Sequence, residues 1–144
     1  MDIFWGSVLI ILGLIGWVGQ SISLLWPDGA VRYGLSEAEA DVEPVFWADI
    51  RGEAGWDAFV LWTLPLAGLL LVLGSPNWAY FGLVGGGIYL YFGGRGIFQR
   101  LSMRRRGMRV GSDQSVRIGL IFLAVWAVTA LVTIAAAISD LPTS

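Results

Sequence analysis

Residues 3–26, IFWGSVLIILGLIGWVGQSISLLW, contain no charged side chain. The hydrocarbon core of a bilayer is about 30 Å thick, and a helix needs about 20 apolar residues to cross it. This stretch is long enough, and Pro27-Asp28-Gly29 then breaks the helical pattern. Because it has no basic residue before it and no small-residue cleavage site at its end, we interpret it as a retained membrane anchor and not as a signal peptide.

Three further segments have the same character, at residues 56–73, 78–98 and 116–138. None of them has a charged side chain at its centre, where an Arg or Asp would cost about 2.5–3.5 kcal/mol. The turn at residues 74–77, GSPN, is too short for anything but an antiparallel hairpin. The sequence therefore predicts an all-α fold, a bundle of four transmembrane helices forming a single membrane domain over residues 1–144.

The composition of the chain indicates that lipid is its main solvent. Of its 144 residues 56% are hydrophobic and 14% are charged, whereas soluble domains carry about 25% charged residues. The absence of cysteine and histidine excludes thiol nucleophiles, His-ligated haem and histidine general bases. No residue cluster forms a catalytic motif, and the sequence predicts no metal or other cofactor.

The nine basic residues are all arginines. With four spans, the loops at 27–55 and 99–115 face the same side, and every arginine lies in one of them or at an adjoining span end. Since arginine-rich loops stay in the cytoplasm, we expect both loops inside and both termini outside. The protein would then be a multi-pass protein of the plasma membrane.

Three tryptophans and a proline fall inside the predicted spans. The indole N–H groups of Trp17, Trp62 and Trp126 need a partner in hydrocarbon, so we expect these side chains to face other helices. Pro65 removes one backbone hydrogen bond and should kink the second span. Thr63 is close enough in sequence to satisfy a carbonyl that the kink frees.

The first loop carries seven of the eleven acidic residues, and we expect it to form a short helical cap with the arginine loop. Residues 36–39, Ser-Glu-Ala-Glu, fit a capping box and predict a short helix there. Pro44 would end that helix and suits the first turn of the next one.

Three carboxylates recur with helical spacing before and at the start of the second span, at Asp49, Glu53 and Asp57. On one helix face they would repel each other by about 0.2–0.5 kcal/mol per pair, so a partner should offset them. One candidate is the group of arginines that begins at Arg95, which would tie the two loops together by salt bridges. The other is a divalent cation held by carboxylate oxygens, facing a phosphate-bearing lipid.

An arginine cluster follows the third span. Such clusters attract anionic lipid headgroups by about 1 kcal/mol per residue near the surface. We expect contacts with anionic lipids from Arg100, Arg104, Arg105, Arg106 and Arg109. A nucleic-acid role is not expected, because the run is short, membrane-bound and opposite an acidic loop.

Gly82 and Gly86 form a GxxxG pattern in the third span. Small residues let helices approach closely in lipid, and we interpret this pair as packing within the bundle. The alternative is a homo-oligomer or a docking face for a larger membrane complex. The layout as a whole resembles that of small four-helix membrane proteins of prokaryotes.

By exclusion, the sequence favours a non-catalytic accessory, structural or interaction component of the membrane. The alternative is a transporter of lipids or small molecules, or a lipid-modifying enzyme, that acts at the cytoplasmic headgroup level. A pocket lined by Asp49, Glu53, Asp57 and Arg95 would favour the alternative. A cap filled by its own salt bridges would favour the accessory role.

Overall fold

The computed structural model describes residues 2–141, and its regular structure is helical. Its helices are α1 (Asp2–Leu25), α2 (Pro27–Arg32), α3 (Pro44–Val60), α4 (Thr63–Val72), α5 (Trp78–Arg105) and α6 (Asp113–Ser139), with one 3-10 turn at Glu39–Asp41. No strand occurs within the described residues, although Val42 and Val110 form an isolated antiparallel bridge. The predicted all-α fold is therefore confirmed.

Three segments are long and apolar enough to cross a membrane: Asp2–Leu25, Pro44–Val72 and Asp113–Ser139. They bear large exposed apolar side chains, such as Ile11 and Val128, as a surface in contact with lipid requires. The predicted span at 78–98 is not among the three, although α5 has 28 residues. Seven glycines between positions 78 and 98 lower its hydropathy, so a fourth crossing stays a prediction.

α5 packs against both α4 and α6, while α1 packs against α3 and α4. Glycines make these contacts close. A Cβ at Gly82 would lie 3.2 Å from Ala137 Cβ, and one at Gly86 would lie 2.7 Å from Ile134 Cγ1, both on α6. The predicted GxxxG pair thus faces another helix of the same chain.

The second predicted span differs from the structure in two respects. Its helix begins at Pro44 and not near residue 56, with the proline in its first turn as expected. The expected kink is a complete break at Leu61 and Trp62, between α3 and α4. Pro65 causes it, because a proline has no N–H to donate to the carbonyl of Leu61 and its ring clashes with that carbonyl.

The break leaves the carbonyls of Ala58 and Leu61 without a backbone N–H donor within the described chain. All four carbonyls of residues 58–61 have a side-chain donor within hydrogen-bond distance. These donors are Trp17 Nε1 to Ala58 (2.8 Å), Trp62 Nε1 to Phe59 (2.9 Å), Thr63 Oγ1 to Val60 (2.9 Å) and Tyr89 Oη to Leu61 (3.2 Å). The break is therefore compatible with an apolar environment, in which free carbonyls are costly.

Two of the mid-span tryptophans bond to a neighbouring helix as expected, since Trp126 Nε1 donates to Leu12 O on α1 at 2.9 Å and Trp17 donates to α3. Trp62 meets the expectation in part. Its ring packs against Phe81 of α5, with the ring centres 6.4 Å apart, but it is exposed and its N–H bonds within its own segment.

The two loops that carry most of the charges meet at one end of the molecule, which we call the arginine end. Glu43 N donates to Arg109 O at 2.8 Å, beside the Val42–Val110 bridge. Under this bridge the side chains of Phe46 and Val116 are buried with those of the two valines. The loops are thus held by backbone pairing and by a small apolar core of their own.

The predicted capping box is wrong. The 3-10 turn at Glu39–Asp41 is preceded by Ala38 and has no side-chain cap. The Ser36 hydroxyl bonds only weakly to Glu37 O, at 3.4 Å. The carboxylate of the predicted box is that of Glu39, which lies inside the 3-10 turn, while the neighbouring Glu37 accepts a hydrogen bond from Ser115 at the start of α6.

Candidate functional site

α3 runs without interruption through Gly52 and Gly55, so the predicted carboxylate row lies on one helix face. Arg95 on α5 pairs with two of its members. One terminal nitrogen lies 2.6 Å from Glu53 Oε1, and the other lies 2.8 Å from both oxygens of Asp49. One guanidinium therefore compensates two carboxylates and joins α3 to α5.

Asp57, the third member of the row, lies two turns beyond Asp49, and 6% of it is exposed. Its Oδ2 has no hydrogen-bond partner within residues 2–141. Over the same residues, no group of three carboxylates is placed to hold a metal ion. The geometry thus supports the salt-bridge interpretation of the row, with Asp57 outside the ion pair.

The arginines expected to contact lipid fall into two groups. Arg104, Arg105, Arg106 and Arg109 are exposed at the arginine end. Two of these exposed arginines pair with carboxylates. Arg104 pairs with Asp113 at 2.5 Å and Arg109 with Glu43 at 3.4 Å.

Arg100 differs from the other four, because its side chain turns inward. Its guanidinium donates to Gly96 O at 3.2 Å and lies over the ring of Phe46, 5.5 Å from the ring centre. A Cβ at Gly119 would come within 3.8 Å of Arg100 Nε, so this glycine also leaves room for it. No carboxylate of the described chain lies within 4.0 Å of this guanidinium.

A cavity of about 470 Å³ lies beside Arg100, between α1, α3, α5 and α6; we call it the α1–α6 cavity. Polar side chains line the part nearest the loops: Gln20, Glu37, Glu53, Arg100 and Ser115. Three apolar side chains, Leu35, Phe46 and Ile50, lie among them. The rest of the lining is apolar: Ile15, Phe92, Ile118, Phe122, Leu123 and Trp126. Its size lies within the range of about 300–1,000 Å³ that is typical of small-molecule sites.

The acidic loop before α3 contributes residues 34–37 to this lining, and Glu37 is the charged one among them. Burial raises the pKa of its carboxyl above the ordinary value, and the attraction of Arg100 offsets part of that rise. Gly111 packs so closely that a Cβ there would lie 2.5 Å from the Glu37 carboxyl. Its φ of +112° also favours glycine.

The sequence did not predict the cavity. Gly16 and Gly19 on α1 and Gly119 on α6 all line it. In sequence they look like any other small residues of a membrane helix. The sequence offered one signal for a cavity: glycines and polar residues share a helix turn, as Gly19 and Gln20 do on α1.

These observations define a class: an all-helical protein with three apolar segments able to cross a membrane and with its arginines gathered at one end. A comparison of the chain with protein-family models, with curated proteins and with solved structures finds no match. Its function must therefore be argued from its own geometry.

Proposed function

We propose that the chain is a four-span protein of the plasma membrane that acts as a non-catalytic accessory or interaction component. The observation that carries this proposal is the pairing of Arg95 with Asp49 and Glu53. A row of carboxylates free to transfer protons or bind a cation would favour an enzyme or a carrier. Here two of the three are already compensated within the protein.

Other arginines hold the same end together. Arg51 on α3 donates to the carbonyls of Ser23 and Leu24, the last turn of α1. Arg109 joins the second loop to Glu43 and to the carbonyl of Ala40. These contacts give the arginine end a defined surface, which a docking site for a partner protein requires.

The fourth crossing is supported by the position of α5. At 1.5 Å per residue its 28 residues are about 42 Å long, which exceeds the hydrocarbon core of about 30 Å. Five of its seven glycines pack against α4 or α6, so its low hydropathy reflects contact with protein more than contact with water. The arginine end would be cytoplasmic, and both termini would lie outside.

Single cysteines test this arrangement cleanly, because the chain has none of its own. Asn77 and Ser102 are exposed near opposite ends of α5. We expect a membrane-impermeant maleimide to label Asn77→Cys in intact cells and Ser102→Cys only after permeabilisation. Labelling of both from the same side would show that α5 does not cross, and it would overturn the four-span proposal.

The accessory role is tested by native mass spectrometry from mild detergent. We expect the protein to be released with a second protein, or with further copies of itself, in a fixed ratio. A monomer without a protein partner, obtained under conditions that preserve known membrane complexes, would contradict the accessory role.

A further inference from the structure

The α1–α6 cavity changes from polar to apolar along both helices that flank it. On α1 the lining passes from Gln20 to Ile15, and on α6 from Ser115 to Ile118 and Phe122. Both changes run from the arginine end towards the middle of the molecule. A ligand that is polar at one end and apolar at the other matches this gradient.

The cavity opens between α1 and α6 at its apolar part. Three of its apolar side chains remain exposed there, with Ile15 at 46%, Ile118 at 46% and Phe122 at 45%. Below them, the hydrogen bond from Trp126 to Leu12 O joins the two helices and forms a floor. In the proposed membrane placement, such an opening faces acyl chains, so a ligand enters from the lipid.

The polar part of the cavity offers one cation and one anion. Arg100 makes one hydrogen bond, to a carbonyl of its own helix, and no ion pair within residues 2–141. Glu53 is already paired with Arg95. The Glu37 carboxylate accepts from Ser115 and has further acceptor positions.

We propose that the cavity binds a zwitterionic phospholipid with a primary ammonium group, a phosphatidylethanolamine. Its phosphate accepts hydrogen bonds from Arg100, and its ammonium group donates to Glu37. An anionic phosphatidylglycerol has no cation for Glu37, and the trimethylated nitrogen of phosphatidylcholine has no N–H to donate. The proposal deepens the proposed function and rests on its membrane placement.

The start of α6 adds to the phosphate subsite. Ser112 caps this helix by accepting from Ser115 N at 3.2 Å, and Ser112 and Gln114 line the polar part of the cavity. The N-terminal end of a helix carries a partial positive charge, which favours a phosphate group. The Phe46 ring contacts the Arg100 guanidinium in the same polar part of the cavity.

The test is a competition. The purified protein in mild detergent receives equimolar phosphatidylethanolamine, phosphatidylglycerol and phosphatidylcholine with identical acyl chains, and native mass spectrometry reports the bound lipid. A charged hydrogen bond contributes about 1.5–3 kcal/mol, so we expect retention of phosphatidylethanolamine to exceed that of the others by about tenfold or more. Equal retention of the three lipids would overturn the proposal.

Two charge variants separate the subsites. Arg100→Gln should lower retention of phosphatidylethanolamine by about tenfold, and Glu37→Gln should abolish its preference over phosphatidylglycerol. Exposed neighbours provide matched controls, because Arg104→Gln and Glu39→Gln change the same charges outside the cavity. Unchanged selectivity in Glu37→Gln, or the same loss in both arginine variants, would contradict the assignment.

A third variant fills the cavity without altering its charges. Gly19 lines the cavity, and a Cβ there would meet no atom of the described chain within 4 Å. Gly19→Leu should therefore exclude the lipid while leaving thermal stability unchanged or slightly higher. The control is Gly52→Leu, which has equal space on α3 but lies outside the cavity. Lipid retention by a folded Gly19→Leu protein would refute the site.

The outcomes also separate this inference from the proposed function. If cysteine labelling supports four spans but the lipid competition shows no selectivity, only the lipid site fails. If labelling shows that α5 does not cross, the proposed function fails independently of the lipid result.

Discussion

Removal of the Tyr89 hydroxyl tests how the helix break between α3 and α4 is stabilised. This side chain is fully buried. Its oxygen lies 2.7 Å from Gly13 O on α1 and 3.2 Å from Leu61 O at the break. With a single proton it donates to one carbonyl at a time. Tyr89→Phe removes that donor and keeps the ring, which packs against Phe92 at a centroid distance of 6.1 Å.

The expected loss of stability depends on whether the carbonyls of Gly13 and Leu61 have another hydrogen-bond donor. Gly13 lies inside a continuous helix, whereas the Leu61 carbonyl has no backbone donor within the described residues. A buried group left without a partner costs about 1–3 kcal/mol. Side-chain hydrogen bonds measured in a membrane protein average about 0.6 and reach about 1.7 kcal/mol. We therefore expect Tyr89→Phe to lower the free energy of unfolding by about 1–1.7 kcal/mol.

Reversible unfolding in mixed detergent and SDS micelles, followed by circular dichroism, measures this change. Tyr80→Phe and Tyr91→Phe are matched controls, since both tyrosines lie on α5 and are exposed, at 52% and 67%. If Tyr89→Phe unfolds with the same free energy as these two variants, then Tyr89 does not satisfy the carbonyls at the break, and the explanation of the break is wrong.

Three further predictions concern packing, ion pairing and pH. Gly13→Ala should cost about 1–3 kcal/mol in the same unfolding assay, because its Cβ would lie 2.6 Å from a ring atom of the proline in α4; Gly87→Ala, with open space, should not destabilise. Arg95→Gln strands two partly buried carboxylates and should cost about 1–3 kcal/mol, between the values for exposed and buried pairs; a loss no larger than that of Arg104→Gln would contradict this. The raised pKa of Glu37 means that the folded state favours its protonated form, so its contribution to stability is present below the ordinary value of 4.5 and is lost as the pH rises through the folded-state pKa. Unfolding of the wild type and Glu37→Gln across that range should show the wild type losing stability relative to the variant, and parallel curves would refute it.

The helices and the shared end of the two loops follow from patterns that the sequence displays directly. An uncharged run such as residues 3–26 requires a helix in hydrocarbon, and helical spacing put Asp49 and Glu53 on one face. The partner was also within reach, since Arg95 stands at the end of the third predicted span, next to the one loop predicted on the same side. What spacing did not show is that one guanidinium compensates two of the carboxylates and leaves Asp57 apart.

The helix break and the cavity could not be located in this way, because both depend on side chains that arrive from distant parts of the chain. Pro65 predicts a disturbed hydrogen bond, but Trp17 and Tyr89 decide that the carbonyls before it can stay without backbone donors. Glu37 likewise has a partner that spacing does not show, since it accepts from Ser115, which is 78 residues further along the chain.

In the proposed four-span arrangement α5 is an inner helix, and hydropathy alone would undercount it. A lipid-facing helix needs apolar side chains, whereas a helix in contact with protein on two sides gains more from close approach of its backbone. Gly85 faces α4, where a Cβ would lie 2.8 Å from Leu64 N, and Gly93 faces α6, where a Cβ would lie 2.6 Å from Leu123 O. At Gly87 and Gly94, by contrast, a Cβ would meet no atom of residues 2–141 within 4 Å. Four glycines of one helix thus have two different roles, and only the positions of the neighbouring helices distinguish them.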